Sequence, residues 1–247
     1  MPKAFTPKEE TVKTGKEYRV LEQLQTSYQT LEIRKHQRFG HQLLIDNDLQ
    51  ISESDRSYNV AMVSPLIMLG HFRRVAILGG GDGGVLKELL EIDYEQRRGL
   101  EKAVMMDIDR EVIRLSQKYL SGLCGDAFEH PKAEVIVGDV FEYIEHQRDL
   151  DAVIYDLTID PVREGQSRSE FLQDLMNKVA GSLKPGAMIS MQCCGTQPFD
   201  EETGVAREEI MHDINTALKN DFVDFIEQRV FIPSFGEAWT FLAARRK

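Results

Sequence analysis

The sequence predicts an α/β fold: a parallel β-sheet covered by helices on both faces, preceded by a small β-rich unit. Three observations predict it. Beyond about residue 70, short continuous apolar runs alternate with helix-like stretches, the pattern of strands buried on both faces. The first of these runs ends in a glycine-rich turn, Gly79-Gly80-Gly81-Asp82-Gly83-Gly84. Before residue 70, β-like segments follow one another with no helix between them.

The elements follow in order. Residues 31–35, 42–45 and 49–51 read as strands, with Asp46-Asn47-Asp48 as a hairpin turn between the last two. A helix with Ser54 or Asp55 as N-cap then runs toward Pro65. The domain division is therefore a small N-terminal β domain over residues 1–53 and a larger domain over 54–247. In the larger one, residues 74–78, 103–106, 134–137, 152–155 and 187–193 read as strands. Residues 85–91, 110–119 and 170–183 read as helices, the last stopped by Lys184-Pro185-Gly186. The final segments, 223–231 and 239–244, are joined by a short loop and are expected to pair antiparallel at the end of the sheet. This arrangement resembles the Rossmann-like fold of S-adenosylmethionine-dependent enzymes.

Composition excludes several function classes. The 247 residues are 42% hydrophobic, enough for a sizeable core. No run approaches the roughly 18 apolar residues of a membrane span, and the longest candidate, 60–69, is broken by Ser64 and Pro65. The polar stretch after Met1 has no apolar signal core, so a cytoplasmic protein with no membrane partner is expected. A formal net charge of −11 repels phosphate backbones and argues against nucleic acid as a partner. The three cysteines form no C-x-x-C pair. Cys193 and Cys194, as strand neighbours, are expected on opposite faces and unbridged. The six histidines show no ligand spacing, and no metal site is expected.

Ligands of such sheets sit at the carboxyl ends of the strands. There the sequence places Asp82, then Asp107 and Asp109, then Asp139, then Asp156. Any one of these could simply cap a helix, but acids after all four strands point to a site. The glycine turn permits close backbone approach of a ligand. A carboxylate inside it, Asp82, would repel the pyrophosphate of NAD, FAD or ATP and favour a ligand with a positive charge nearby. Asp107 is placed to accept ribose hydroxyls, and Asp139 to serve an adenine amino group. A ribose and adenine without phosphate fit S-adenosylmethionine or its decarboxylated form.

These residues resemble the polyamine aminopropyltransferase family (spermidine and spermine synthases), and its spermine synthases most. The resemblance rests on the intact GGGDGG loop and on the stretch from Tyr28-Gln29 through Phe39-Gly40 to Glu53-Ser54-Asp55 and Tyr58. It rests also on Tyr155-Asp156-Leu157-Thr158 and on Pro233-Ser234-Phe235-Gly236-Glu237-Ala238-Trp239. Four motifs in order, covering the chain from about residue 15, are far more specific than any one of them. The sequence departs from the family at Asp107 (usually Glu), Asn59 (Gln in spermidine synthases), Val140 (often Gly) and Phe235 (Tyr in animal spermine synthase). Asp160 is an added acid.

The resemblance implies transfer of an aminopropyl group from decarboxylated S-adenosylmethionine, as co-substrate, to spermidine, giving spermine and methylthioadenosine. Spermidine or thermospermine synthesis is the alternative. It assigns Asp156 as catalytic proton acceptor, and Gln29, Gly80, Asp82, Asp107, Asp139 and Val140 to the donor. Tyr58, Asp156, Thr158, Phe235, Glu237 and Trp239 go to the polyamine acceptor, with Asp160 competing with Glu237 for the added amine. A homodimer or homotetramer is implied as well. The rivals are an S-adenosylmethionine methyltransferase and a non-catalytic binding module with the same fold.

Overall fold

The computed structural model describes residues 17–158, 165–200 and 204–247. The chain opens with four antiparallel strands in sequential order: β1 (Tyr18–Gln25), β2 (Thr30–His36), β3 (Gly40–Ile45) and β4 (Asp48–Ser52). The expected turn joins β3 to β4, with Asp46 at φ 50° and Asn47 at φ 72°. Asn and Asp tolerate this left-handed region, which matches the twist of a tight hairpin. Helix α1 (Arg56–Val63) follows, and a 3-10 turn over Ser64–Leu69 takes over at Pro65, whose ring cannot continue an α-helix.

The second sheet is built from β5 (Arg74–Gly79), β6 (Lys102–Asp107), β7 (Ala133–Val137), β8 (Leu150–Asp156), β9 (Leu183–Gly195), β10 (Phe222–Ile232) and β11 (Glu237–Arg246). Its strand order is β10-β11-β9-β8-β5-β6-β7. The five strands from β9 to β7 are parallel, and β11 and β10 close the edge antiparallel. The connecting helices are α2 (Gly84–Gln96), α3 (Arg110–Tyr119), α4 (Ser121–Cys124), α5 (Val140–Glu145), α6 (Arg168–Ser182) and α7 (Arg207–Leu218).

Side-chain alternation divides the core into two layers. Val75, Ile77, Ala152 and Ile154 face one layer with Leu86 and Leu89 of α2 and Met62 of α1. Ala76, Leu78, Val153 and Tyr155 face the other, with Phe141, Leu175 and Ile214 of α5, α6 and α7. Each fully buried aliphatic side chain contributes about 1.5–3 kcal/mol relative to exposure. Leu31, Ile33, Leu43 and Ile51 of the first sheet join the α2 layer, which fixes that sheet beside the strand ends. Glu22 of β1 adds a polar anchor, accepting from Arg114 Nη2 at 2.9 Å, Lys118 Nζ at 2.7 Å and Tyr119 Oη at 2.8 Å. Partial burial would raise its pKa, but these bonds overcome it and hold the carboxyl at about 2.

Several details differ from expectation. The sequence pattern predicts no strand at β1 and no helix at α4, α5 or α7. Lys184-Pro185-Gly186 lies inside β9, which begins at Leu183. The two adjacent cysteines do not separate to opposite faces: both pack in the layer with α6 and α7. The cause is a β-bulge. Thr240 pairs with Cys194 and Phe241 with Gln192, so Cys193 is an extra residue in β9 and breaks the alternation. All three thiols are buried and unbridged. Among the described residues no helix is long and apolar enough to cross a membrane.

Candidate active site

The chain runs outward from β5 to β6 and β7, then returns to place β8 on the other side of β5. Ligands of open α/β sheets bind at such a reversal. The register there pairs Gly79 with Asp156, which puts the last residue of β8 beside the glycine turn. A side chain would collide with Asp156 at Gly79 and Gly80 and with Asp107 at Gly81. A Cβ on Gly79 would lie 2.1 Å from the Asp156 carbonyl oxygen, and one on Gly80 would lie 2.9 Å from Asp156 Oδ2. Both glycines also have positive φ, 85° and 72°. A Cβ on Gly81 would lie 2.4 Å from Asp107 Oδ2.

Three carboxylates therefore converge on this turn, each partly exposed at the mouth of the sheet. Asp156 Oδ1 accepts from the Tyr58 hydroxyl at 2.6 Å. Asp82 Oδ1 accepts from the Gly84 amide at 2.8 Å, at the positive end of α2. Asp107 accepts from the amides of Gly81 at 3.0 Å and Asp109 at 2.9 Å. Burial pushes Asp82 up to about 8, with the charge on Asp156 adding to the effect and the Gly84 amide opposing it. Burial raises Asp107 and Asp156 to about 6, amide bonds opposing the rise at Asp107 and the Tyr58 bond opposing it at Asp156. The charge on Asp156 disfavours ionising Asp82, and that on Asp107 disfavours ionising Asp156, because neighbouring buried carboxylates resist ionising together. The same surroundings push the buried Tyr58 hydroxyl well above its usual value, burial first and then Asp156. Tyr58 thus remains a donor. A cluster of carboxylates that disfavours its own negative charges gains from a cation.

The acids after β6 and β7 divide. Asp109 and Asp139 are N-caps, accepting from the Glu111 amide at 3.0 Å and the Phe141 amide at 2.7 Å. Asp109 also joins the two sheets, since its Oδ2 accepts from Thr26 Oγ1 at 2.7 Å and Gln29 Nε2 at 3.2 Å. Gln29 is thereby tied to the N-cap of α3, two residues along the chain from Asp107. Val140, the first residue of α5, is buried against Phe141 and Ile144.

The β10–β11 turn closes another side. Phe235 packs edge-on to Tyr58 at a centroid distance of 6.4 Å and to Trp239 at 5.0 Å. Trp239 Nε1 donates to Gln192 Oε1 at 2.9 Å. Glu237 Oε2 accepts from the amides of Thr196 at 2.9 Å and Gln197 at 3.3 Å, so the carboxylate braces the loop after β9. Thr158 is exposed and borders a small cavity with Leu172, Cys193 and Ile214, on the α6–α7 side of the sheet. It is not brought to the Tyr58–Asp156 pair. Asp160 lies outside the described residues.

Two residues that sequence reasoning left out of the site hold this geometry. Asp55 is fully buried and caps nothing with its side chain. Its carboxylate accepts from the amides of Ser52 at 2.8 Å and Ser234 at 3.0 Å and from the Ser234 hydroxyl. It thus fastens the β10–β11 turn to the start of the helix carrying Tyr58. Gln192 is the other, bonded to both Trp239 and the carbonyl of Leu157. Nothing in local composition distinguishes Gln192 from an ordinary strand glutamine; its two long-range partners define it.

Comparison with known proteins fits this geometry. Residues 55–247 match the spermine/spermidine synthase domain. A polyamine aminopropyltransferase of Aeropyrum pernix is 31% identical, over 97% of this chain and 73% of its own. One from Thermococcus onnurineus is 37% identical, over 76% and 66%. A solved spermidine synthase in complex with the transition-state analogue AdoDATO superposes with a TM-score of 0.75 at 23% identity, covering 93% of this chain and 73% of that one. The glycine turn, the converging carboxylates and these matches lead to one conclusion: the chain belongs to the spermine/spermidine synthase family and is an enzyme of the polyamine aminopropyltransferase class.

Proposed function

We propose that the chain transfers the aminopropyl group of decarboxylated S-adenosylmethionine to spermidine, giving spermine and methylthioadenosine, with Asp156 as proton acceptor. The observation that carries this reading is the Tyr58–Asp156 pair lying over Gly80, with the charge on Asp156 acting on Asp82. The donor bears a sulfonium and an ammonium. Asp82 meets the ammonium and Asp107 the ribose hydroxyls through the lone pairs its amide bonds leave over. Gln29, Gly80, Asp139 and Val140 complete the donor site. A donor retaining its carboxylate would set that group against Asp82, which disfavours methyl transfer from S-adenosylmethionine. The analogue complex of the solved spermidine synthase supports a donor site in this fold.

The acceptor amine has a pKa near ~10 and is largely protonated at neutral pH. Asp156 takes one proton. The nitrogen lone pair then forms the C–N bond as the C–S bond breaks, its electrons passing to sulfur and discharging the sulfonium. Tyr58 donates to Asp156 throughout and keeps the carboxylate oriented. Phe235 and Trp239 offer ring faces to the acceptor's ammonium groups. Glu237 faces the amine that spermidine has and putrescine lacks.

One observation favours a second reading. Glu237 Oε2 already accepts from two amides, which leaves less of the carboxylate for an added amine and favours putrescine as acceptor. Mass analysis of products formed from each amine tests the choice. Spermine formed in preference to spermidine supports the first reading, and a preference for putrescine supports the second. We also read residues 1–53 and 54–247 as two domains and place the enzyme in the cytoplasm, where three unbridged cysteines suit a reducing compartment. The exposed Val223, Phe225 and Phe231 of edge strand β10 favour a homodimer or homotetramer, which light scattering measures.

A further inference from the structure

Asp156 is the last residue of β8 paired to β5. On its other side the β8–β9 ladder stops one residue earlier, at Tyr155 and Met191. The next residue of β9 is Gln192, 5% exposed, and its side chain takes over where the ladder ends. Nε2 donates to the carbonyl of Leu157, the residue after Asp156, and Oε1 accepts from Trp239 Nε1 at 2.9 Å. An indole N–H only donates and a carbonyl only accepts, so the side chain between them must do both. An amide does. A carboxylate accepts from the indole but has no proton for the carbonyl, and an apolar side chain leaves both half-buried groups without this partner.

We infer that Gln192 is a positioning residue for aminopropyl transfer: one amide registers Trp239 of β11 against the backbone beside Asp156. It fixes the carboxylate relative to the aromatic wall along which the acceptor lies. Asp156 is then held from two directions, at its side chain by Tyr58 and at its following carbonyl by Gln192. The inference rests on the reading of Asp156 as proton acceptor. A displacement of the order of 1 Å between reacting groups costs about a hundredfold in rate, so a single buried amide can matter to turnover without touching substrate.

The test uses the full chain with Gln192→Met, which keeps the volume and removes both bonds, and Gln192→Glu, which keeps the indole bond and loses the carbonyl bond. Each is made alone and combined with Asp156→Asn. Gln192→Met is expected to lower kcat on the order of ten- to a hundredfold, with the dissociation constant of the donor unchanged. In the Asp156→Asn background the same substitution is expected to cost less than about threefold, because the group it positions is gone. Gln192→Glu is expected to show the same pattern and carries the test should the Met variant fail to fold. A kcat within twofold of the parent, or an undiminished loss in the Asp156→Asn background, overturns the inference. If Asp156→Asn alone costs only a few-fold, the proton-acceptor reading fails instead, and the two failures are distinct.

Discussion

Replacing Asp82 by Asn examines the donor site most sharply, because the substitution keeps shape and removes charge. Asp82 accepts from the Gly84 amide and is held at about 8 by burial and by Asp156. In the empty site at pH 7 it is therefore mostly protonated. A cationic ammonium binds the ionised form, so binding must release a proton. Donor affinity is then expected to rise close to tenfold per pH unit between about pH 6 and 7.5 and to level off above 8. Losing a charge-assisted hydrogen bond costs about 1.5–3 kcal/mol, on the order of ten- to a hundredfold in affinity. Titration calorimetry at several pH values, with decarboxylated S-adenosylmethionine and with S-adenosylmethionine, measures all of this. The wild type is expected to prefer the decarboxylated donor. Asp82→Asn is expected to bind it more weakly, with a flat pH dependence and a smaller preference. Equal affinities for the two donors, a flat wild-type profile, or an Asn variant that binds like the parent would refute the assignment.

Three other outcomes follow from the same geometry. Tyr58→Phe removes the 2.6 Å bond that opposes the raised pKa of Asp156; Asp156 works ionised, so the acid limb of kcat/KM should move to higher pH, by about one unit, and an unmoved limb counts against the pairing. Glu237→Gln should raise KM for spermidine about ten- to a hundredfold with donor binding spared, and an unchanged KM moves the added amine elsewhere. Asp82→Asn should also stabilise the empty enzyme by about 2 kcal/mol, or about 4–8 °C in Tm, at pH 8 and above. The sign follows from a folded-state pKa raised above the unfolded 3.8: the cost of the carboxylate is full above about 8 and fades toward pH 4. Equal melting temperatures at pH 8 would deny that cost.

Much of the fold was legible in the sequence because parallel strands buried on both faces leave continuous apolar runs such as Val75–Leu78, and because Gly79–Gly84 marks a tight strand-to-helix turn. β1 leaves little trace in the sequence for a physical reason. It pairs only with β2 at the edge of its sheet and shows no regular alternation of apolar residues, with Val20 exposed. α5 is six residues long and too short for a helical period to show. The bulge at Cys193 depends on pairing between β9 and β11, which no local pattern encodes. In the site, the strand-end position made Asp82, Asp107 and Asp156 visible, but it marked Asp109 and Asp139 equally. Only hydrogen-bond geometry separates the two caps from the converging three. Asp55 and Gln192 act through partners far along the chain, Ser234 and Leu157, and contact at such separation leaves no trace in a single sequence.

The account turns on Asp156 as the group that frees the acceptor's lone pair, and single-turnover release of methylthioadenosine by Asp156→Asn tests it most directly. With donor and spermidine both saturating, the rate is expected to fall by about 10²–10⁴ while calorimetric donor affinity and Tm stay near those of the parent. A loss of only a few-fold, with the fold and donor binding intact, would contradict it.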